Sequence, residues 1–203
     1  TAILLGIGFD ALDGRVARLV HGESAFGVEF DSLSDFLTFG IAPAHMMYAF
    51  ILKDYGAWGY PMAFLYAMCG GLRLARFNAL ASDSGGSKTH FSGLPIPGGA
   101  CFLASFILLY QIVEEGRPAM TWKFVMDNIP ILYGLAPAMV VIIALLMIST
   151  IPYPAFKQPS VFQPRSVKVL LGVVLGALII FMYPQNAIFV LFLFYVLIGP
   201  VGW

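Results

Sequence analysis

Apolar residues fill this chain in long blocks, and polar residues gather between the blocks instead of alternating with them. A helix crossing roughly 30 Å of hydrocarbon needs about 20 mostly apolar residues. Blocks close to that length occupy residues 1–19, 28–52, 57–76, 97–113, 131–149, 167–183 and 187–201, the last two forming a helical hairpin that turns at Pro184. The pattern predicts an all-α, polytopic transmembrane helical bundle with seven visible spans. Because the chain opens at Thr1 already inside an apolar block, a further N-terminal helix is expected upstream, giving eight spans in the intact protein. Residues 1–203 read as one integral membrane domain, with a core over 1–150 and the C-terminal hairpin over 167–203. Between the blocks, the pattern predicts a short link at 53–56, a loop at 77–95 with the Gly/Ser-rich stretch SDSGGSK, a polar link at 114–128 and a loop at 150–166.

Composition agrees with that reading. Of 203 residues, 60% are hydrophobic and only 11% charged, where a soluble domain has about a quarter charged. Net charge is zero, so there is no basic surface of the kind a nucleic acid requires. Cys69 and Cys101 both lie in apolar blocks and read as small packed hydrophobes.

Charge placement orients the bundle. Arg15, Arg18, Arg73, Arg76, Lys88, Lys157, Arg165 and Lys168 fall on one face, and Lys53, Arg117 and Lys123 on the other. The positive-inside rule makes the first face cytoplasmic. That face also carries the anomaly of the chain, the segment Asp10 to Asp35, with four aspartates at the edges of two apolar blocks. Carboxylates there are costly without a partner.

Asp10 and Asp13 are three apart, and Asp31 and Asp35 four apart, so each pair shares a side of its helix. Two such helices packed together would bring four like charges into one pocket, a situation that calls for divalent cations. An all-oxygen donor set suits Mg²⁺, Mn²⁺ or Ca²⁺ and argues against zinc. Gly14, Ala17 and Gly27 leave the pocket wall nearly bare, and Arg18 is placed to hold a phosphate by charge-assisted hydrogen bonds. Together these groups suggest phosphoryl transfer involving a lipid. A structural ion-pair cluster with Arg15 and Arg18, or the cation site of a transporter, are the competing readings. The lack of acidic residues in the middle of the later spans disfavours a conduction path.

The spacing D-x2-D-G-x2-A-R-x8-G-x3-D-x3-D, carried by Asp10, Asp13, Gly14, Ala17, Arg18, Gly27, Asp31 and Asp35, resembles the full signature of the CDP-alcohol phosphotransferases. The segments LRLARFN (72–78), FSGLPIP (91–97) and STIPYPAFK (149–157) are similar to the phosphatidylserine synthase branch of that family. The resemblance implies transfer of a phosphatidyl group from CDP-diacylglycerol to the hydroxyl of L-serine, giving phosphatidylserine and CMP. It implies two divalent ions, Mg²⁺ or Mn²⁺, on Asp10, Asp13, Asp31 and Asp35, with Asp35 as general base. It further implies a CDP-binding cradle of Gly14, Ala17, Arg18 and Gly27, and a homodimer in the bilayer. A serine subsite is expected among Arg73, Arg76, Asn78, Lys157 and Arg165. Another acceptor alcohol such as glycerol phosphate or inositol, or an archaeal ether-linked donor, would keep the same chemistry.

Overall fold

The computed structural model describes residue 3 and residues 25–83, 90–114, 123–154 and 183–202. Helix α1 (Ala25–Asp35), a π-helical segment (Phe36–Ile41) and α2 (Ala42–Phe50) form one continuous helical run. A 3-10 turn over Leu52–Trp58, interrupted at Gly56, then leads into α3 (Gly59–Asp83). Strand β1 (His90–Ser92), α4 (Ile96–Glu114), α5 (Lys123–Ile148), β2 (Pro152–Pro154) and α6 (Pro184–Gly202) follow.

These helices coincide with five of the seven apolar blocks. The blocks at 1–19 and 167–183 lie outside the described residues. Pro130–Ile148 is long and apolar enough to cross a membrane alone. The runs Glu29–Phe50 and Leu52–Ala79 pass the same test only together, across a bend of 94°, while Ile96–Gln111 and Pro184–Pro200 are shorter apolar helices. Two boundaries differ from expectation. Helix α3 runs on to Asp83, through residues expected to be loop, because nothing between Arg76 and Asp83 breaks a helix before Gly85 and Gly86, and propagation is easy once a helix is nucleated. Helix α5 begins at Lys123, so the end of the expected polar link is helical as well.

The π-helical segment has a local cause. Pro43 has no N–H, so the carbonyl of Phe39, four residues earlier, lacks its α-helical donor. The chain answers by widening the turn, and the Ala42 N–H reaches back five residues to the Leu37 carbonyl. The Phe39 carbonyl is satisfied from another helix, by the hydroxyl of buried Tyr66 on α3 at 3.1 Å.

The same arrangement recurs at two further helix prolines. Pro137 frees the carbonyl of Tyr133, which accepts from the Tyr55 hydroxyl at 3.0 Å. Pro200 frees the carbonyl of Val196, which accepts from the Tyr153 hydroxyl at 3.0 Å. Each of the three prolines thus creates an acceptor that a tyrosine from a different element fills, tying the π-helical segment to α3, the 3-10 turn to α5, and β2 to α6.

The core lies where α3 packs on α5 and α4 on α6. It is centred on fully buried Met47, Leu52, Tyr66, Leu103, Val140, Ala144 and Tyr153. A second cluster, Phe39, Ile96, Ala100 and Ala104, includes Ile3 from the start of the chain. Close approach of the π-helical segment to α3 depends on small residues. A Cβ on Gly70 would sit 3.7 Å from the Gly40 Cα, and one on Gly71 would press on the Phe36 ring at 3.1 Å. Gly70 and Gly71 are thus contact glycines.

Candidate active site

Gly27, Asp31 and Asp35 are spaced four apart along α1 and therefore form one stripe. Asp31 is exposed and Asp35 half-buried. The helix ends at Asp35, and the π-helical turn starts with the next residue, so this carboxylate sits where the helix changes pitch. Such turns are found disproportionately at functional sites. Phe26 and Phe30, on another side of α1, stack at 6.0 Å and are largely exposed.

Asp10, Asp13, Gly14, Ala17 and Arg18 lie outside the described residues, as do Lys157 and Arg165. Among the described residues there is accordingly no group of three or more metal-ligating side chains. The two aspartates that are described fit half of a hard-cation site. They are carboxylates one turn apart on one face, with no sulfur or imidazole beside them on α1.

The three cation-side residues expected to act together on α3 separate on the helix. Arg73 is half-buried, its Nε has no hydrogen-bond partner among the described groups, and it interacts electrostatically with Tyr195 of α6. Arg76 is exposed. Asn78 donates from Nδ2 to the Ser32 Oγ of α1 at 2.9 Å. At about 100° per residue, Asn78 lies some 140° round α3 from Arg73 and some 160° from Arg76. One side of the helix therefore meets Ser32 of α1, and another lies within electrostatic reach of Tyr195 on α6.

Around Tyr195 the structure assembles segments that are far apart in sequence. The β1–β2 ladder pairs Phe91 with Tyr153 and so joins the FSGLPIP and STIPYP segments. Gly93 follows β1 with φ +83°, a conformation only glycine adopts easily, and a Cβ there would meet the Met147 and Ser149 carbonyls at 2.5 and 2.8 Å. Its N–H donates to the Ile151 carbonyl at 2.9 Å, and that of Leu94 to the Leu146 carbonyl at 3.0 Å. The Tyr153 and Tyr195 rings stand 5.9 Å apart. A Cβ on Gly98 would strike the Tyr195 ring at 2.6 Å. Three segments, carrying Arg73, Gly98 and Tyr153, thus converge on Tyr195.

Sequence reasoning had not singled out Tyr195 or Tyr153. The available signal was a lone tyrosine between Phe194 and Val196 in an otherwise aliphatic and Phe-rich helix, four residues before Gly199. A Cβ on Gly199 would collide with the Tyr153 ring. Burial pushes the Tyr153 hydroxyl up to about 12, with Tyr195 adding to the effect, so it remains a donor at any physiological pH.

Comparison with known proteins agrees with this layout. The family model for CDP-alcohol phosphatidyltransferase matches residues 1–136. A CDP-diacylglycerol–serine O-phosphatidyltransferase of Helicobacter pylori is 32% identical over 197 residues, covering 96% of this chain and 74% of the relative. One of Methanocaldococcus jannaschii is 34% identical over 172 residues, covering 85% and 71%. One of Saccharomyces cerevisiae is 40% identical over 133 residues, covering 63% and 44%. With its signature spacing intact, its aspartate stripe on α1 and a match across two-thirds of its length, the chain belongs to the CDP-alcohol phosphatidyltransferase family.

Proposed function

We propose that the protein is a membrane enzyme that transfers a phosphatidyl group from CDP-diacylglycerol to the hydroxyl of L-serine. The observation that carries this reading is the Gly27–Asp31–Asp35 stripe at the head of the π-helical turn, in a chain whose relatives bear the serine-transferase name over nearly its whole length. The apolar helices support a membrane location, and the distribution of basic residues supports a site open to the cytoplasm.

In the proposed reaction the serine hydroxyl oxygen bonds to the phosphorus that carries diacylglycerol. The bond from that phosphorus to the CMP oxygen breaks, and CMP leaves with the electron pair. Asp35 takes the hydroxyl proton, a role its half-buried position beside the turn allows. Asp10, Asp13, Asp31 and Asp35 would hold two Mg²⁺ or Mn²⁺ ions, which would supply positive charge to the diphosphate when bound. Gly14, Ala17, Arg18 and Gly27 would cradle the CDP group.

Serine brings a carboxylate that needs a cation. Arg73, whose Nε has no partner among the described groups, is suited to that carboxylate, with Arg76, Lys157 and Arg165 as further cations for the acceptor side. A homodimer belongs to the same proposal.

The test is acceptor choice. The purified enzyme, given CDP-diacylglycerol and Mn²⁺, should release CMP with labelled serine and form labelled phosphatidylserine, and should release none with glycerol phosphate or inositol. Product formed only from a different alcohol would overturn the serine assignment. Cation flux without CMP release would overturn the enzymatic one.

A further inference from the structure

We infer that Asn78 is a positioning residue: its amide holds the Ser32 hydroxyl and thereby sets the direction in which Asp31 and Asp35 leave α1. The inference rests on the proposed role of those aspartates, and it moves Asn78 away from the acceptor side, where the sequence grouped it with arginines.

Helix α1 needs such a tie. Its described side chains include no buried one: Phe26, Glu29, Phe30, Asp31, Leu33 and Ser34 are exposed, and Ser32 and Asp35 are half-buried. Burial therefore fixes the rotation of the run only at its lower end, where Phe39 and Gly40 of the π-helical segment are buried, and not along α1 itself. Rotation is what matters for the carboxylates, because at about 100° per residue Ser32 stands some 100° from Asp31 and some 60° from Asp35. Holding the Ser32 hydroxyl holds both.

The tie continues a contact already made lower on the same helices. Gly71, Leu74 and Asn78 are spaced three and four apart and share one stripe of α3. Gly71 admits the Phe36 ring, Leu74 packs on the cluster around Phe39, and Asn78 meets Ser32 at 2.9 Å. The stripe thus follows the run from the π-helical segment into α1, meeting one residue on each side of the aspartate pair's end. Arg73 and Arg76 project from other sides of α3, so the acceptor cations and the aspartate tie are separate functions of one helix.

The test uses the full chain in detergent micelles, with Mn²⁺ as the probe. The variants are Asn78→Ala, Ser32→Ala, their double and Ser32→Thr. Mn²⁺ affinity is read by the electron paramagnetic resonance of free Mn²⁺, and CMP release gives kcat and the KM for serine. Loss of an outer-shell partner typically lowers metal affinity or activity about 10–100-fold. Each alanine variant should weaken Mn²⁺ binding and kcat by about tenfold on that basis, with the serine KM unchanged. The double variant should be no worse than either single one, because both remove the same bond. Ser32→Thr, which keeps the hydroxyl, should retain most of both properties. If Asn78→Ala does not fold, Ser32→Ala, which deletes a single oxygen, carries the same expectation.

A raised serine KM in Asn78→Ala with Mn²⁺ affinity intact would place Asn78 on the acceptor and overturn the inference. Additive losses or wild-type behaviour of both variants would overturn it equally. A wild-type chain that binds Mn²⁺ but accepts only another alcohol would overturn the serine reading alone, since the Ser32–Asn78 coupling is still read from the metal. A wild-type chain that binds no Mn²⁺ would overturn both.

Discussion

Helix α1 and the β1–β2 clasp are built on opposite principles. On α1 no described side chain is buried, and the helix is joined to α3 by the Asn78–Ser32 bond and continues into the π-helical turn. In the clasp, Tyr153 is wholly buried, Gly93 and Leu94 donate to the carbonyls of Ile151 and Leu146, and Gly98 and Gly199 leave room for aromatic rings. The helix therefore exposes charge, while the clasp is continuous with the core. Substitutions on α1 should cost activity at nearly constant stability. Those in the clasp should cost stability first, with activity following the folded fraction.

The strongest way to break this contrast is on α1. Asp31→Asn or Asp35→Asn should lower CMP release by more than about 100-fold, the upper range already seen for lost outer-shell partners. Chelation with EDTA should do the same and be reversed by Mn²⁺. The thermal midpoint of either variant should stay within about 2 °C of wild type, a shift that corresponds to about 0.5–1 kcal/mol. A collapse in stability would show the aspartates to be structural.

The clasp should respond in the opposite sense. Gly93→Ala forces a side chain into a positive φ and against two carbonyls, at a cost of about 1–3 kcal/mol. Its midpoint should fall by several degrees while kcat per folded molecule holds. A loss of kcat at constant stability would mean that the clasp takes part in the chemistry.

Arg73, on α3, sharpens the comparison. Arg73→Lys keeps the charge but loses the planar fork that suits a carboxylate. It should raise the serine KM about tenfold, the scale of about 1.4 kcal/mol, with kcat less affected. An unchanged KM would remove Arg73 from the acceptor side.

The smallest effects test the tyrosine–proline ties. Tyr153→Phe and Tyr66→Phe each leave a proline-freed carbonyl without its hydroxyl partner, at about 1–3 kcal/mol for a buried group. Tyr55→Phe should cost less, since Tyr55 is only half-buried and water can replace it. Combining Tyr153→Phe with Pro200→Ala returns an N–H to the Val196 carbonyl, so most of the loss in thermal midpoint should be recovered. Additive losses would show that the hydroxyl does something other than satisfy that carbonyl.

Much of this was legible in the chain itself. Apolar block length predicted the five described helical runs, because the water-to-lipid cost acts on each segment independently of its neighbours. The signature spacing pointed to the family that the comparison then showed, since which residues share a side of one helix is set by the 3.6-residue period alone. Pro43, Pro137 and Pro200 likewise announce three freed carbonyls. Which group fills each of them is not written locally, because Tyr66, Tyr55 and Tyr153 come from elements 27, 78 and 43 residues away.

The same limit explains Asn78 and Tyr195. Residues 73, 76 and 78 are neighbours in sequence and were expected in one serine subsite, and the helical turn gives them different surroundings. Only the tertiary structure decides that Arg73 lies within electrostatic reach of Tyr195 while Asn78 meets Ser32. The sequence by itself determined the apolar helical plan and the spacing of the aspartates, because period and hydropathy are properties of single segments. Tertiary structure alone decided that Asn78 meets Ser32, because a hydrogen bond between helices depends on how the helices are rotated against one another.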